Sequence, residues 1–211
     1  MDQDWLEQFC AHPELLRMGH LQRAEDRNLG LGWLYYALIR ILRPRNVVCI
    51  GSWRGFVPLV LGRGLHDNTE GGEVTFIDPS LVDGFWEDPA RTKEWFNGFD
   101  LDNIRHYQMT TQEFAVSEHN RALRDIGLLF VDGYHSAEQA RFDHTTFADR
   151  LTADAMVLFH DSVATRPSAR YGHDRIYEHT VKHYIDDLRR RTDLQVMDFP
   201  FASGVTLVRA S

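Results

Sequence analysis

The chain has 211 residues, 43% of them hydrophobic and 26% charged, which is ordinary for a globular protein large enough to bury a core. Its formal net charge of −8 at pH 7 argues against a nucleic-acid partner, because such binding draws on clustered Lys and Arg. No apolar run reaches the length of about 20 residues that a membrane span needs, and the acidic amino terminus lacks the layout of a secretion signal. We expect one cytoplasmic domain over residues 1–211, with neither a nucleic-acid nor a membrane partner.

The first part of the chain, residues 1–43, is predicted to be helical. Amphipathic patterns indicate short helices at residues 5–9 and 13–18. A glycine-rich break at residues 30–32 follows, and then a strongly apolar helix at residues 33–42. The Arg-Pro pair that comes next ends this helix, because the residue before a proline disfavours the helical conformation.

Beyond residue 45, short apolar runs alternate with helical patterns. The runs have the composition of strands buried on both faces, and they lie at residues 46–50, 73–77, 104–108, 127–131 and 154–159. Helices are predicted between them at residues 56–65, 90–99, from residue 111 onwards, and at 136–151. Strands that alternate with helices pair in parallel, so the pattern predicts an α/β sandwich.

The C-terminal part departs from this alternation. A polar, basic loop at residues 164–174 precedes a last helix at 175–190, and two strands at 194–199 and 204–208 follow with no helix between them. Such a pair forms a hairpin, so one edge of the sheet must be antiparallel. The predicted fold is a three-layer, Rossmann-like α/β sandwich around a seven-stranded, mostly parallel sheet with an antiparallel terminal hairpin.

The residues that follow the strands are the candidates for ligand binding, because ligands bind beyond the carboxyl ends of strands in an open parallel sheet. These positions hold Gly-Ser-Trp-Arg-Gly at residues 51–55, then Asp78, Asp132 and Asp161. A dinucleotide fingerprint would need two further glycines where this chain has Trp and Phe. Asp78 is placed to accept hydrogen bonds from the ribose of a nucleoside, or it only begins an Asp-Pro turn.

Several segments together resemble motifs of the class I methyltransferases. Residues 47–55 resemble the first motif, and residues 128–136, 141–143 and 157–161 look like later motifs of one branch. That branch includes small, metal-dependent sugar and antibiotic O-methyltransferases and is similar to the catechol O-methyltransferases. The resemblance implies S-adenosylmethionine (SAM) as the cofactor. It also implies that the cofactor is bound by Gly51, Ser52, Trp53, Gly55, Asp78 and Asp132.

Three positions qualify this resemblance. The class usually has an acidic residue where this chain has Cys49, which puts in doubt one contact near the methionine part of the cofactor. Trp53 is interpreted either as a core residue or as a lid over the cofactor. Residues 30–32 lie where members of the class place a loop over the cofactor, but they equally fit a plain helix breaker.

The resemblance also implies a divalent metal. Metal-dependent members hold Mg²⁺ at positions that match Asp132, Asp161 and either Ser162 or His160. Mg²⁺ prefers oxygen ligands and keeps several waters, whereas a histidine such as His160 would favour Mn²⁺ or another transition metal. In the competing interpretation, Asp161 only braces the loop that follows it.

Removal of a proton from the acceptor requires a base, and histidine suits that role near neutral pH. His135 matches the position of the catalytic base in the catechol branch, and His144, which follows Asp143, is the second candidate. His179 and His183 have the i,i+4 spacing of a helical metal pair, but they are interpreted as the solvated face of the last helix.

The combined prediction is an O-methyltransferase that forms a homodimer and moves a methyl group from SAM to a hydroxyl of a small sugar or polyol, assisted by Mg²⁺. Two alternatives compete with it. One is a metal- or nicotinamide-dependent hydroxylase or oxidoreductase on the same scaffold. The other is a non-catalytic, cofactor-binding partner subunit, which should lack the strand-end carboxylates that this chain carries.

Overall fold

The computed structural model describes residues 1–17, 19–169 and 176–211. The helices are α1 (Gln3–Cys10), α2 (Gly32–Leu42), α3 (Phe56–Asn68), α4 (Pro89–Asn97), α5 (Thr111–Val116), α6 (Glu118–Ala122), α7 (Ala137–Phe147) and α8 (Val181–Leu188). The strands are β1 (Asn46–Ile50), β2 (Glu73–Ile77), β3 (Ile104–Tyr107), β4 (Ile126–Val131), β5 (Leu151–His160), β6 (Arg166–Ser168), β7 (Tyr177–His179), β8 (Leu194–Phe199) and β9 (Val205–Ala210). None of the helices in the described ranges has the length and apolar character that crossing a lipid bilayer would require.

The main sheet has seven strands in the order β3-β2-β1-β4-β5-β9-β8. The first five of these pair in parallel, and β9 runs antiparallel to both β5 and β8. This confirms the predicted mostly parallel sheet with a terminal hairpin. The strand order reverses between β1 and β4, which is the place where ligands bind in sheets of this kind.

The two central strands are buried because their sequences are continuously apolar. β4 is buried along its whole length, and β1 from its second residue onwards. Alternate side chains of these strands enter two separate cores. One core includes Tyr35 of α2 and Phe56 of α3, and the other includes Phe147 of α7 and Tyr184 of α8. Helices therefore cover both faces of the sheet, which gives the predicted three layers.

Two predicted helices are shorter than expected. The helix predicted at residues 13–18 is a 3₁₀ helix at Leu15–Arg17, and Met18 lies outside the described residues. The helix predicted at 136–151 ends as α7 at Phe147, and β5 already begins at Leu151. Leu151 pairs with Ile126 of β4, and such a pairing with a distant strand overrides the local helical pattern.

The largest correction concerns the segment before α8. A loop and the start of a helix were predicted there, but β6 and β7 form a two-stranded antiparallel sheet, and α8 begins only at Val181. Residues 170–174 of the predicted loop and Arg175, the predicted first residue of the helix, lie outside the described residues. His179 therefore belongs to a strand and is fully buried, so its interpretation as a solvated helix residue was wrong, whereas His183 is exposed.

The ends of β1 and β4 approach each other closely at Gly51. The Gly51 N–H donates to the Ile77 carbonyl at 2.8 Å, and the Asp132 N–H donates to the Ile50 carbonyl at 2.8 Å. Gly51 has a φ of +70°, and a Cβ atom there would overlap the backbone carbonyl of Asp132. A glycine is therefore needed both for the backbone conformation and for the close approach of the two strand ends.

We expect Gly51→Ala to destabilise the fold more than Gly71→Ala. The two glycines have φ values of 70° and 72°, so both substitutions carry a similar backbone strain of about 1 kcal/mol. A Cβ atom at Gly71 would meet nothing within 4 Å, whereas the overlap at Gly51 should cost roughly 1–3 kcal/mol more. Urea unfolding of both variants measures the difference, and equal losses of unfolding free energy would contradict the tight contact between β1 and β4.

Candidate functional site

A cavity of about 280 Å³ opens beyond the carboxyl ends of β1, β2 and β4. Most of the residues predicted to hold SAM lie on its wall. They are Gly51, Ser52, Trp53, Asp78 and Asp132. Gly55 is the exception, because it precedes α3 and packs beside Trp86, whose ring a Cβ atom at Gly55 would approach to 3.1 Å. Residues that are far apart in sequence thus converge at one edge of the sheet.

Asp78 is held in the cavity wall by two backbone N–H groups. Its Oδ2 accepts from the Ser52 N–H at 3.1 Å, and its Oδ1 accepts from the Ser80 N–H at 2.8 Å. Burial raises the pKa of this carboxyl above its ordinary value, although the two N–H groups act in the opposite direction. Each carboxylate oxygen can accept a further hydrogen bond. Asp78 therefore begins a turn and also lies on the cavity wall, and its contact with a ribose stays a prediction.

Trp53 forms a fixed part of the wall. Its Nε1 donates to Asp83 Oδ2 at 2.8 Å, and the Arg54 guanidinium lies 4.6 Å from the centre of its ring. Arg54 is in turn paired with Asp83 at 2.7 Å and with Glu14 at 2.9 Å. The indole is half-buried against the core as well as lining the cavity, so the turn at residues 51–55 is braced on its outer side.

Cys49, which stands where the class usually has an acidic residue, is fully buried in β1, two positions before Gly51. Burial raises the pKa of its thiol well above the ordinary value, so the thiol is neutral and brings no charge to the site. The Sγ atom lies 3.6 Å from the Gly51 carbonyl.

Residues 30–32 do not line the cavity. The helix α2 begins at Gly32, which agrees with the interpretation of this segment as a break before a helix.

The opposite wall of the cavity includes Asp143 and Gln139 of α7 and Thr111 of α5. Gln139 Nε2 donates to Asp143 Oδ1 at 2.7 Å. Asp143 is only 1% exposed, and burial raises its pKa to about 6 although hydrogen bonds from Thr111 and Gln139 oppose this shift. The sequence draws attention to Asp143 as part of the motif at residues 141–143 and as a neighbour of His144, but neither signal predicts its place on the cavity wall.

Asp132 also belongs to a second group of polar side chains, which we call the Asp/His cluster. The group consists of Asp132, His135, His160, Asp161 and His179, which come from the ends of β4, β5 and β7. All except Asp132 are buried, and the Asp132 side chain is only 10% exposed. Only Asp132 lies on the cavity wall as well, so the cavity and the cluster share this residue.

The distances within the cluster are short. His160 Nδ1 lies 2.8 Å from Asp132 Oδ1, and His179 Nδ1 lies 2.8 Å from Asp161 Oδ2. His135 Nε2 lies 3.7 Å from one oxygen of each carboxylate. Burial lowers the pKa of His135 to about 4 even though the two carboxylates oppose this shift. His135 is therefore neutral at pH 7 and carries a lone pair on one ring nitrogen.

Both carboxyls in the cluster are ionised. Burial alone would raise the pKa of Asp132 and of Asp161, but the neighbouring histidines outweigh burial and lower both values. Asp161 also pairs with Arg166 Nη2 at 2.6 Å. Asp161 has a φ of +52°, an uncommon backbone conformation for a residue with a side chain, and such strain concentrates at functional sites.

Backbone contacts place His179 beside His135. The Thr180 N–H donates to the His135 carbonyl at 2.8 Å, and Thr180 Oγ1 accepts from the Ala137 N–H at 2.9 Å. The two imidazole rings are stacked with their centres 4.3 Å apart. These contacts join the end of β7 to the loop after β4, across more than forty residues of sequence.

Two predicted site residues have other partners. Ser162 Oγ donates to the Phe159 carbonyl at 2.8 Å and lies 2.8 Å from Thr206 Oγ1, in a fully buried position. His144 Nδ1 lies 2.8 Å from the Tyr184 hydroxyl, and its ring packs against Phe159. The structure therefore does not bring His144 to the cavity or to the cluster, and it leaves the Ser162 hydroxyl turned into the protein core.

His20 joins the cluster without any signal in the sequence. Its ring centre lies 4.5 Å from that of His160 and 4.5 Å from that of Phe56, and its Nδ1 lies 3.2 Å from the Tyr35 hydroxyl. The residue precedes α2 in an irregular segment that has no periodic pattern. For His179, the i,i+4 spacing to His183 suggested a metal pair on a helix. The helix α8 begins only at Val181, so the two histidines do not share a helix face.

Comparisons with known proteins agree with this geometry. The sequence profile of a methyltransferase domain family matches residues 48–162, a span that runs from β1 to the end of β5 and includes the cavity and most of the cluster. None of the curated proteins matches the chain in sequence.

Solved methyltransferase structures share the fold. A SAH-bound methyltransferase from Podospora anserina is 17% identical, with a TM-score of 0.66 and coverage of 100% of this chain and 89% of the other. The O-methyltransferase TomG of tomaymycin synthesis from Streptomyces achromogenes, in complex with SAM, is 15% identical, with a TM-score of 0.67 and coverage of 100% and 91%. An O-methyltransferase from Bacillus cereus in complex with SAH is 13% identical, with a TM-score of 0.67 and coverage of 100% and 92%.

We expect Asp143→Asn to stabilise the protein increasingly as the pH rises. The folded-state pKa of about 6 lies above the ordinary value of 3.8, so ionisation of Asp143 favours the unfolded state. The cost is absent below the ordinary pKa, grows between the two values and is complete above the folded-state pKa. Asparagine can still accept from Gln139. The gain in unfolding free energy should increase by roughly 1 kcal/mol between about pH 5 and about pH 7.5.

Urea unfolding at several pH values tests this expectation. Asp149→Asn is the control, because the Asp149 side chain is 76% exposed and its removal should give no such trend. A gain from Asp143→Asn that stays constant with pH would contradict the raised pKa.

Proposed function

We propose that this chain, which belongs to the methyltransferase domain family, transfers a methyl group from SAM to a hydroxyl oxygen of a small acceptor. The observation that carries the proposal is the shared position of Asp132. This carboxylate lines the cavity together with Gly51, Ser52 and Asp78. It also contacts His160 of the Asp/His cluster. A cofactor and a reacting oxygen can therefore be held side by side.

The cavity suits the nucleoside part of SAM. The Asp78 carboxylate presents two oxygens at the position of a ribose-binding acid, and Ser52 and Ser80 hold it there through their backbone N–H groups. The apolar side chains of Ile50, Ile77 and Met109 contribute uncharged surface to the same wall. The TomG structure, in complex with SAM, and the B. cereus structure, in complex with SAH, share this fold.

The cluster suits a divalent cation. Two ionised carboxylates and a neutral imidazole lie within a few ångströms of one another, and buried carboxylates are normally paired or bound to metal. When bound, such an ion would lower the pKa of an acceptor hydroxyl and orient it. Asp132 and Asp161 are the ligands that the reaction requires in this proposal, and the buried surroundings keep water away from them.

The acceptor is proposed to be a sugar or polyol with neighbouring hydroxyls. Two adjacent oxygens can bind one ion together, which fixes the reacting oxygen in line with the methyl group. Tyr134, next to Asp132 in the loop after β4, is 46% exposed and stacks on Tyr177 with ring centres 4.8 Å apart. Aromatic faces of this kind offer an apolar surface for the ring of an acceptor.

One observation favours a second function. His135, Asp161 and His179 form a set of two histidines and one carboxylate, which is also the iron-binding set of non-haem oxygenases. A hydroxylase of that kind would consume dioxygen in the presence of Fe²⁺. Methyl transfer remains the better-supported proposal, because the ribose-binding carboxylate and the family membership both favour a nucleoside cofactor.

We expect the chain to bind S-adenosylhomocysteine at micromolar concentrations, and Asp78→Asn to weaken this binding roughly 10- to 100-fold. The loss corresponds to charged hydrogen bonds that are worth about 1.5–3 kcal/mol. Isothermal titration calorimetry measures both values. Asp149→Asn, which changes an exposed carboxylate, should bind like the wild type. Failure of the wild-type protein to bind S-adenosylhomocysteine would overturn the proposed function.

We also expect methyl transfer to require a divalent ion and Asp161. The assay follows labelled methyl groups from SAM into a panel of sugars, polyols and catechols. A chelator should abolish transfer, an added ion should restore it, and Asp161→Asn should lower kcat about 10- to 100-fold or more while S-adenosylhomocysteine binds normally.

A matched control for this variant is Asp186→Asn, which removes a half-exposed carboxylate on α8 and should leave transfer unchanged. Undiminished transfer by Asp161→Asn in the presence of chelator would exclude metal assistance. Transfer to catechols alone would exclude the sugar acceptor, and dioxygen consumption with Fe²⁺ would favour the hydroxylase.

A further inference from the structure

We propose that the ion is a transition-metal ion held by His135, Asp161 and His179, with Asp132 as a fourth ligand. This differs from the Mg²⁺ site at Asp132, Asp161 and Ser162 that the resemblance implies. The inference rests on the proposed function for the reaction that the ion serves. The ligand set itself is read from the side chains of the cluster.

The spacing of the side chains fits a single ion. One ligand atom each from His135, Asp161 and His179 lies within 4.8 Å of the others. Around an ion with bonds of about 2.0–2.2 Å, ligand atoms are separated by roughly 3–3.5 Å. The observed separations are 2.8 Å for His179 to Asp161 and 3.7 Å for His135 to Asp161. One of these separations is slightly shorter and the other slightly longer than the separation expected around an ion.

Hydrogen bonds do not explain these contacts. A separation of 3.7 Å is too long for a hydrogen bond, and the 2.8 Å approach of His179 to Asp161 lacks hydrogen-bond alignment. Within the described part of the chain, His135 Nε2 and both ring nitrogens of His179 make no hydrogen bond. The two residues are 2% and 0% exposed. Buried polar atoms nearly always have a partner, and one cation would serve both His135 Nε2 and one ring nitrogen of His179.

The charge of the cluster favours the same conclusion. Of the described lysines and arginines, only Arg166 pairs with Asp132 or Asp161. Two buried carboxylates thus face one described guanidinium, and a divalent cation would balance the negative charge that remains when the histidines are neutral. Imidazole ligands select manganese, iron, cobalt, nickel or zinc over Mg²⁺, which takes oxygen ligands. The Ser162 hydroxyl is instead engaged by the Phe159 carbonyl and the Thr206 hydroxyl.

The same geometry assigns His135 as a ligand instead of the proton acceptor predicted from the sequence. Its Nε2 lies at equal distances of 3.7 Å from Asp132 and from Asp161. The residue is not on the wall of the cavity. Its ring nitrogen is thus directed at the two carboxylates, where an ion would be held.

The test begins with the full chain after removal of metal by a chelator. Co²⁺ is added and its visible absorption is recorded, and calorimetry then measures the affinity for Mn²⁺, Zn²⁺ and Mg²⁺. We expect one Co²⁺ per chain with an intense spectrum that differs from that of the hydrated ion, and a transition-ion affinity at least about 100-fold above that for Mg²⁺. A weak spectrum of the hydrated type, or equal affinity for Mg²⁺, would overturn the proposal.

Three variants locate the ligands. His135→Gln and His179→Gln should each lower Co²⁺ affinity at least about tenfold, whereas His183→Gln, an exposed histidine four residues after His179, should not. Thermal unfolding of each variant shows whether it is folded. If His135→Gln binds Co²⁺ normally but lowers kcat, His135 is a base and the proposed ligand set is wrong.

Binding of S-adenosylhomocysteine is measured on the same samples. A protein that binds Co²⁺ as expected but not S-adenosylhomocysteine would retain the metal site and lose the proposed function. A protein that binds S-adenosylhomocysteine but shows no preference for transition ions would retain the function and lose this metal site.

Discussion

The close approach of β1 and β4 at their carboxyl ends is the constraint on which the rest of the site depends. Gly51 allows it, because the backbone of Asp132 occupies the space that a side chain would need. As a result, the Asp132 carboxylate is placed between the cavity and the Asp/His cluster. The reversal of strand order at this point opens a crevice on one side of Asp132. β5 then brings His160 and Asp161 to the other side.

The cluster is costly for the fold, since each buried polar atom without a hydrogen bond costs about 1–3 kcal/mol. Such an arrangement persists only where surrounding contacts determine it. Thr180 supplies part of this support through its contacts with His135 and Ala137. The strained backbone of Asp161 is held between β5 and the small β6–β7 sheet, with Arg166 of β6 on its carboxylate. The small sheet is therefore a structural element of the site and more than a connection to α8.

The sequence predicts those parts of the molecule that depend on local pattern. β1 and β2 have the predicted bounds, because short apolar runs buried on both faces have few alternative conformations. The cavity residues Ser52 and Asp78 were predictable because parallel strands must bring their carboxyl ends together. His179 was not, because β7 has only three residues and carries no periodic signal. Its position depends on contacts with residues more than forty positions away.

The positions of Ser162 and His135 show the same dependence on distant contacts. A motif assigns Ser162 to a metal, but Thr206 of β9, which is 44 residues away in sequence, meets its hydroxyl in the core. His135 occupies its predicted place at the end of β4, yet the role of an imidazole depends on what faces its lone pair. Burial keeps that lone pair available, as a base and a ligand both require. In the metal site that we propose, the direction of Nε2 towards two carboxylates favours the role of ligand, and tertiary packing sets this direction.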